Sequence, residues 1–186
     1  MKGATAKRLL TREEFHRMGD AGILTQDDRV ELLNGELIQM SPIGPRHAAT
    51  VRRINRLFTR RLGNRALVSP QNPVALDDYS EPEPDIAIVR PRPDEYAREH
   101  PQPRDVLLLV EVMDSSQPYD RGDKLQSYAA AGLREVWLID LAAEVVDVCR
   151  DPAASRYRTV ERVRRGQRLS ITALPGKQFR VNEMLG

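Results

Sequence analysis

The segment Val106–Met113, VLLLVEVM, constrains the fold more than any other part of the chain. Its apolar residues occupy both parities of a two-residue repeat, the pattern of a central strand covered on each side, and a carboxylate, Glu111, lies inside it. An ionised carboxylate loses its hydration in such a place, so it must be paired, protonated or bound to a metal. A protein that retains it either spends a partner on it or uses it.

The flanking sequence supplies the remaining elements. DIAIVR, from Asp85 to Arg90, is strongly β-like and opens on an acid, and EVWLID, from Glu135 to Asp140, reads as another buried strand. Between Glu111 and EVWLID, after a polar turn, DKLQSYAAAG has helix formers ending at Gly132, giving a strand, helix, strand unit. Upstream, Thr11 and Glu14 form a capping-box signature for a short helix to about Met18. RVELLNGELIQM is two apolar-rich runs joined by Asn34 and Gly35, the signature of a two-residue hairpin turn. Pairing outward from that turn sets Glu31 opposite Ile38 and on the face of Leu33 and Met40, where it is partly buried.

Val51, Ile54, Leu57, Phe58 and Leu62 recur at helical spacing, so a helix is expected from His47 to Leu62, capped by Gly63. Short runs around Leu67 and Val74 follow, and residues 91–104 form a proline-rich surface loop. EVVDVCR, SRYRTVERV and RLSITAL look like three antiparallel strands at an edge, before a short segment from Phe179 to Leu185. Together these predict one α/β (α+β) domain over residues 1–186, its core spanning about 25–175.

The 186 residues carry 29 basic and 27 acidic side chains, a balance that neither demands nor excludes a polyanionic partner. Arginines crowd residues 46–65 and 156–168, and either group suits phosphate or a solvated surface. No apolar run approaches a membrane span, and MKGATAKRLLTREEF lacks the apolar stretch of a secretory signal, so the expected location is the cytoplasm. Cys149 is the single cysteine, which excludes an internal disulfide and a thiolate zinc site.

If the strands of Asp85 and Glu111 pair side by side, their carboxylates converge on one divalent cation, and hard oxygen ligands suit Mg²⁺, with Mn²⁺ an alternative. Such a site hydrolyses phosphodiesters and needs a cationic group near the attacking water. Only Lys2, Lys7, Lys124 and Lys177 are lysines, so Lys124 stands alone between residues 8 and 176, at the start of the helix after Glu111. A compact ammonium in an arginine-rich chain points to a specific role. Taken singly, each residue also has a structural reading: Asp85 as a turn cap, Glu111 in a salt bridge to arginine, Lys124 on a helix surface. Tyr128 and Trp137 read as core.

The order EPDIAIV, LLVEVMDSS, DKLQSYAAAGLREVWLID resembles the Uma-type restriction endonuclease family of the PD-(D/E)XK nuclease superfamily. The likeness extends to VELLNGELIQMSP, to His47 and to QNPVALDDYSEPEPD. It implies a restriction-endonuclease-like mixed β-sheet flanked by helices, with Pro84 and Asp85 as the first half of the motif and Glu111 as its second acid. The simplest superfamily pattern has lysine two residues after that acid, where this chain has Met113. In the resembled family the following helix supplies the lysine, and Lys124 stands there. The resemblance further implies that Asp85, Glu111 and the Val112 carbonyl hold the metal, that Glu31 is an accessory acid, and that His47 or Gln71 touches the water or the scissile phosphate. The expected activity is metal-dependent cleavage of DNA, with RNA not excluded, and a homodimer is the simplest way to cut two strands. The rival expectation is a nuclease fold without turnover that binds nucleic acid or serves as a regulatory or interaction module.

Overall fold

The computed structural model describes residues 6–114 and 120–186, with the side chains of Gln26, Asp120 and Arg121 left aside. Helix α1 (Arg12–Asp20) starts at Thr11, whose hydroxyl accepts from the Glu14 N–H while the Glu14 carboxylate accepts from the Thr11 N–H. Strands β1 (Val30–Leu33) and β2 (Glu36–Gln39) form the hairpin expected at Asn34 and Gly35, both left-handed at φ 51° and 77°. Glu31 pairs with Ile38 as expected, and it is fully rather than partly buried.

Helix α2 (Pro45–Leu62) begins two residues before the expected His47, because Pro45 fits the first helical turn, where no N–H is needed. The sheet is then built from β3 (Leu67–Pro70), β4 (Ile86–Val89), β5 (Val106–Met113), β6 (Glu135–Asp140), β7 (Val145–Ala153) and β8 (Arg156–Arg164), ordered β3-β4-β5-β6-β7-β8. Only β5 and β6 run parallel, and α3 (Leu125–Ala130) makes the crossover between them. The polar turn expected before α3 includes residues 115–119 and lies outside the described residues.

Alternation along β5 divides the core. Val110 and Val112 face one layer, where α2 contributes Ile54 and Phe58 and the C-terminal segment contributes Phe179 and Met184. Phe58, Trp137 and Phe179 meet edge to face there, with centroids 4.8–6.1 Å apart. Leu109 and Met113 face the other layer with Tyr128 and Ala129 of α3, and Glu111, of the same parity, points there too. Ala87 and Val89 of β4 share that face, so an acid at position 85 starts on the side where Glu111 lies.

The C-terminal strands depart from expectation in one respect. The first two of the three runs become β7 and β8 of the main sheet, but the third does not extend it. Instead β9 (Arg168–Ser170) pairs with β10 (Gln178–Arg180), ahead of α4 (Val181–Leu185). Buried Ile171 and Leu174 explain the departure: a turn closed by Leu174 N–H to Ile171 C=O sends both side chains into the α2 layer.

Candidate active site

Pairing of β4 with β5 sets Ile86 opposite Val110, which brings Asp85, one residue before β4, beside Glu111. The Asp85 N–H donates to Glu111 Oε2 at 3.3 Å, and the Val112 N–H donates to Asp85 Oδ2 at 2.7 Å. N–H and C=O of one strand residue project to the same edge, so the Val112 carbonyl lies on the edge turned toward Asp85. His47, in the first turn of α2, donates from Nε2 to the same Asp85 oxygen at 3.0 Å. Both side chains of this pair are 14% exposed, so they border solvent, whereas Glu111 is buried.

Lys124 arrives from a widened turn, Asp120–Lys124, kinked at Gly122 just before α3. Its Nζ lies 3.3 Å from Glu111 Oε1, 3.3 Å from Glu31 Oε2 and 3.2 Å from the Glu83 carbonyl. One ammonium therefore joins the hairpin, the approach to β4 and the central strand. Two further bonds fix this meeting. The Glu83 N–H donates to Glu31 Oε2 at 2.8 Å, and the Asn34 amide at the hairpin turn donates to Ser127 Oγ on α3 at 3.1 Å.

The sequence thus predicted five side chains, and the fold brings all five together: Glu31, His47, Asp85, Glu111 and Lys124. Gln71 lines a cleft of about 810 Å³ shared with Glu83 and Arg29, with α1 forming one wall. Two members of the constellation were not anticipated. Tyr128, expected as core, is indeed buried, but its hydroxyl donates to Glu111 Oε1 at 2.5 Å. Its helical spacing of four from Lys124 was the available signal, since both then lie on one face of a helix. Glu83, two residues before Asp85, is half-buried, and burial followed by the nearby Glu31 charge pushes its carboxyl above the usual range, with Lys124 and Arg29 opposing.

The donor set fits a hard divalent cation. Glu31, Glu83 and Glu111 gather around the Lys124 ammonium, with Asp85 joined to Glu111 through its N–H, and a surplus of negative charge in a partly dry site favours a bound cation. Other buried acids are satisfied differently. Glu135 takes Arg150 at 2.8 Å and the Trp137 N–H, and Asp147 takes Arg162 through two bonds at 2.7 and 3.0 Å. Those are structural pairs of the kind weighed for Glu111, and they lie on β6 and β7, away from the β4 and β5 junction.

Residues 12–182 match the model of the Uma2 family, described as "Putative restriction endonuclease". The chain belongs to the Uma2 family. Among solved structures it is similar to a crystal structure described as "a putative nuclease belonging to DUF820", from Anabaena variabilis, with TM-score 0.72 and 14% sequence identity over 95% of this chain and 97% of that one. At that identity the likeness establishes the fold, a mixed sheet flanked by helices as expected. No curated protein matches the sequence. Membership of Uma2 supports nuclease function, hydrolysis of phosphodiester bonds, and a nucleic acid as the substrate class. No helix among the described residues is long and apolar enough to cross a membrane.

Proposed function

We propose that this Uma2 protein is a Mg²⁺-dependent endodeoxyribonuclease, a single restriction-endonuclease-like unit with its active centre at the β4 and β5 junction. The observation that carries this reading is the convergence of Asp85, Glu111 and Lys124, the last supplied by the turn that leads into α3 rather than by β5. Asp85, Glu111 and the Val112 carbonyl would hold the metal, which when bound polarises the phosphodiester and lowers the pKa of a water. Mn²⁺ presents the same hard character to these oxygens.

The chain's own groups do the positioning. The Val112 N–H and His47 hold Asp85 Oδ2, leaving the rest of its carboxylate directed by the strand end. Tyr128 and Lys124 hold Glu111 Oε1, and by exchanging its contact with the Glu83 carbonyl the Lys124 ammonium would donate toward the attacking water and the charge developing on the phosphoryl oxygens. Glu31 orients the Lys124 ammonium. His47 stands at the solvent border, where its imidazole can meet a scissile phosphate. Two copies of the chain, each bringing one such site, would cut both strands of a duplex.

The test is incubation of purified protein with supercoiled plasmid, single-stranded DNA and RNA, in Mg²⁺, Mn²⁺ and EDTA, beside Asp85→Ala, Glu111→Ala and Lys124→Ala. The reading predicts divalent-dependent nicking of DNA, absent in EDTA and in folded samples of all three variants. A folded wild-type protein that binds DNA and leaves it intact in every metal would move the assignment to a non-catalytic binding protein.

A further inference from the structure

A second group of metal-binding side chains lies on residues the nuclease reading does not use. His16 of α1, Glu81 of the turn that leads to β4, and His100 of the proline-rich loop each place a ligand atom within 4.8 Å of the other two. The three residues come from segments far apart in sequence, and a smaller cavity of about 380 Å³ opens between them. Glu81 is buried, held by its N–H to the Leu32 carbonyl at 2.8 Å, so its carboxylate is fixed in place. His16 Nε2 donates to Glu81 Oε1 at 2.6 Å, and the His16 and His100 rings meet edge to face with centroids 6.2 Å apart.

We propose that His16, Glu81 and His100 bind one Zn²⁺ ion. Two neutral imidazoles and a carboxylate form a borderline-soft donor set that selects zinc over magnesium, in contrast to the oxygen donors around Asp85. Ligand atoms around tetrahedral zinc stand about 3.4 Å apart, given bonds of about 2.0–2.1 Å. The cluster reaches this by opening the His16 to Glu81 hydrogen bond and drawing His100 inward. Arg12, with its buried Nε 3.8 Å from Glu81 Oε2, and Arg98, which lines the same cavity, are local charges that oppose the ion, while the Glu81 carboxylate and the two imidazoles favour it.

The site has a mechanical consequence. Helix α1 buries none of its residues, so little apolar packing holds it to the sheet. Its attachment rests on polar contacts, chiefly Arg12 N–H to the Asp78 carbonyl at 2.8 Å and His16 to Glu81. The same helix lines the larger cleft through Phe15 and His16. Zinc joining α1, the Glu81 turn and the His100 loop would fasten one wall of that cleft while leaving a fourth coordination position open to water.

The test is a Zn²⁺ titration of the full chain against a chromophoric chelator, with Mg²⁺ in large excess to occupy the Asp85 and Glu111 oxygens. His16→Ala and His100→Ala carry it, since the first residue is exposed and the second half-buried, and Asp85→Asn is the control. Hydrogen exchange of the α1 amides is read in parallel. We expect one Zn²⁺ per wild-type chain, slower exchange in α1 on binding, at least about 100-fold weaker binding in both histidine variants, and wild-type affinity in Asp85→Asn. Zinc retained by His16→Ala, zinc lost in Asp85→Asn, or no zinc taken up by wild type would each overturn the proposal. None of these readouts depends on whether the protein cleaves DNA.

Discussion

Lys124→Met removes the cation that faces two buried carboxylates, and its effect on stability can be worked from the geometry. At 3.3 Å and an effective dielectric of about 20, each contact with Glu31 and Glu111 is worth about 5 kcal/mol of gross Coulomb attraction. Desolvation of three buried ions offsets most of that, so the net value of the network is small. Removing the ammonium alone is a different matter, because both carboxylates stay buried and lose the cation they share, at a cost of about 3–5 kcal/mol. For a chain of this size each kcal/mol moves Tm by about 2–4 °C, so the variant should melt about 6–20 °C below wild type in EDTA. Glu31→Gln in the same background removes one stranded charge and should recover a substantial part of the loss. Added Mg²⁺ should raise Tm more in Lys124→Met than in wild type, since both cations answer the same acids. Thermal melts by circular dichroism, with and without metal, decide this. A variant within about 1 kcal/mol of wild type in EDTA would refute the electrostatic argument. The experiment also sets the temperature at which Lys124 variants can be assayed as folded enzymes.

Other consequences follow from particular contacts. Tyr128→Phe deletes a hydroxyl bonded to buried Glu111 and should cost about 1.5–3 kcal/mol in urea unfolding, with cleavage reduced but not abolished; an unchanged midpoint would count against the bond. Glu83 has a raised carboxyl pKa in the fold, so the folded state holds its proton more tightly than the unfolded state, and stability falls as pH rises from the ordinary 4.5 through the higher folded value. Glu83→Gln should therefore gain on wild type across that window in EDTA, and a stability difference constant with pH would contradict this. Gly35→Ala forces a side chain at φ 77° and sets its Cβ 2.5 Å from Leu9 Cβ, so the variant should be destabilised by more than about 1 kcal/mol; a neutral melting result would disprove the tightness of this turn.

Much of the sheet was legible because β4, β5 and β6 are short runs whose neighbours differ sharply in polarity, and because Asn34 and Gly35 leave one turn geometry open. The strand patterns gave each acid a fixed place relative to its strand, but the meeting of Asp85 with Glu111 was conditional on those strands lying side by side, which the antiparallel pairing of β4 with β5 provides. Harder to read was what each acid faces across layers. Glu111, Glu135 and Asp147 all sit among apolar strand residues, yet two of them meet arginines and one meets a lysine and a tyrosine. No local pattern distinguishes them, because the partner comes from another element. Glu83 was hidden among the acids of DDYSEPEPD, which differ only in where the chain turns. His16 and His100 are 84 positions apart, so their meeting at Glu81 is visible only in three dimensions.

The most direct test of the central claim is the cleavage rate of a labelled DNA duplex titrated with Mg²⁺, for wild type and for Glu111→Gln, which keeps the shape of the side chain and removes its charge. Hydrolysis that rises from zero to saturation with Mg²⁺ in wild type, and stays at background in a folded Glu111→Gln, is the predicted result. Cleavage that persists in EDTA, or that Glu111→Gln retains at the wild-type rate, would contradict an active centre built on Asp85, Glu111 and Lys124.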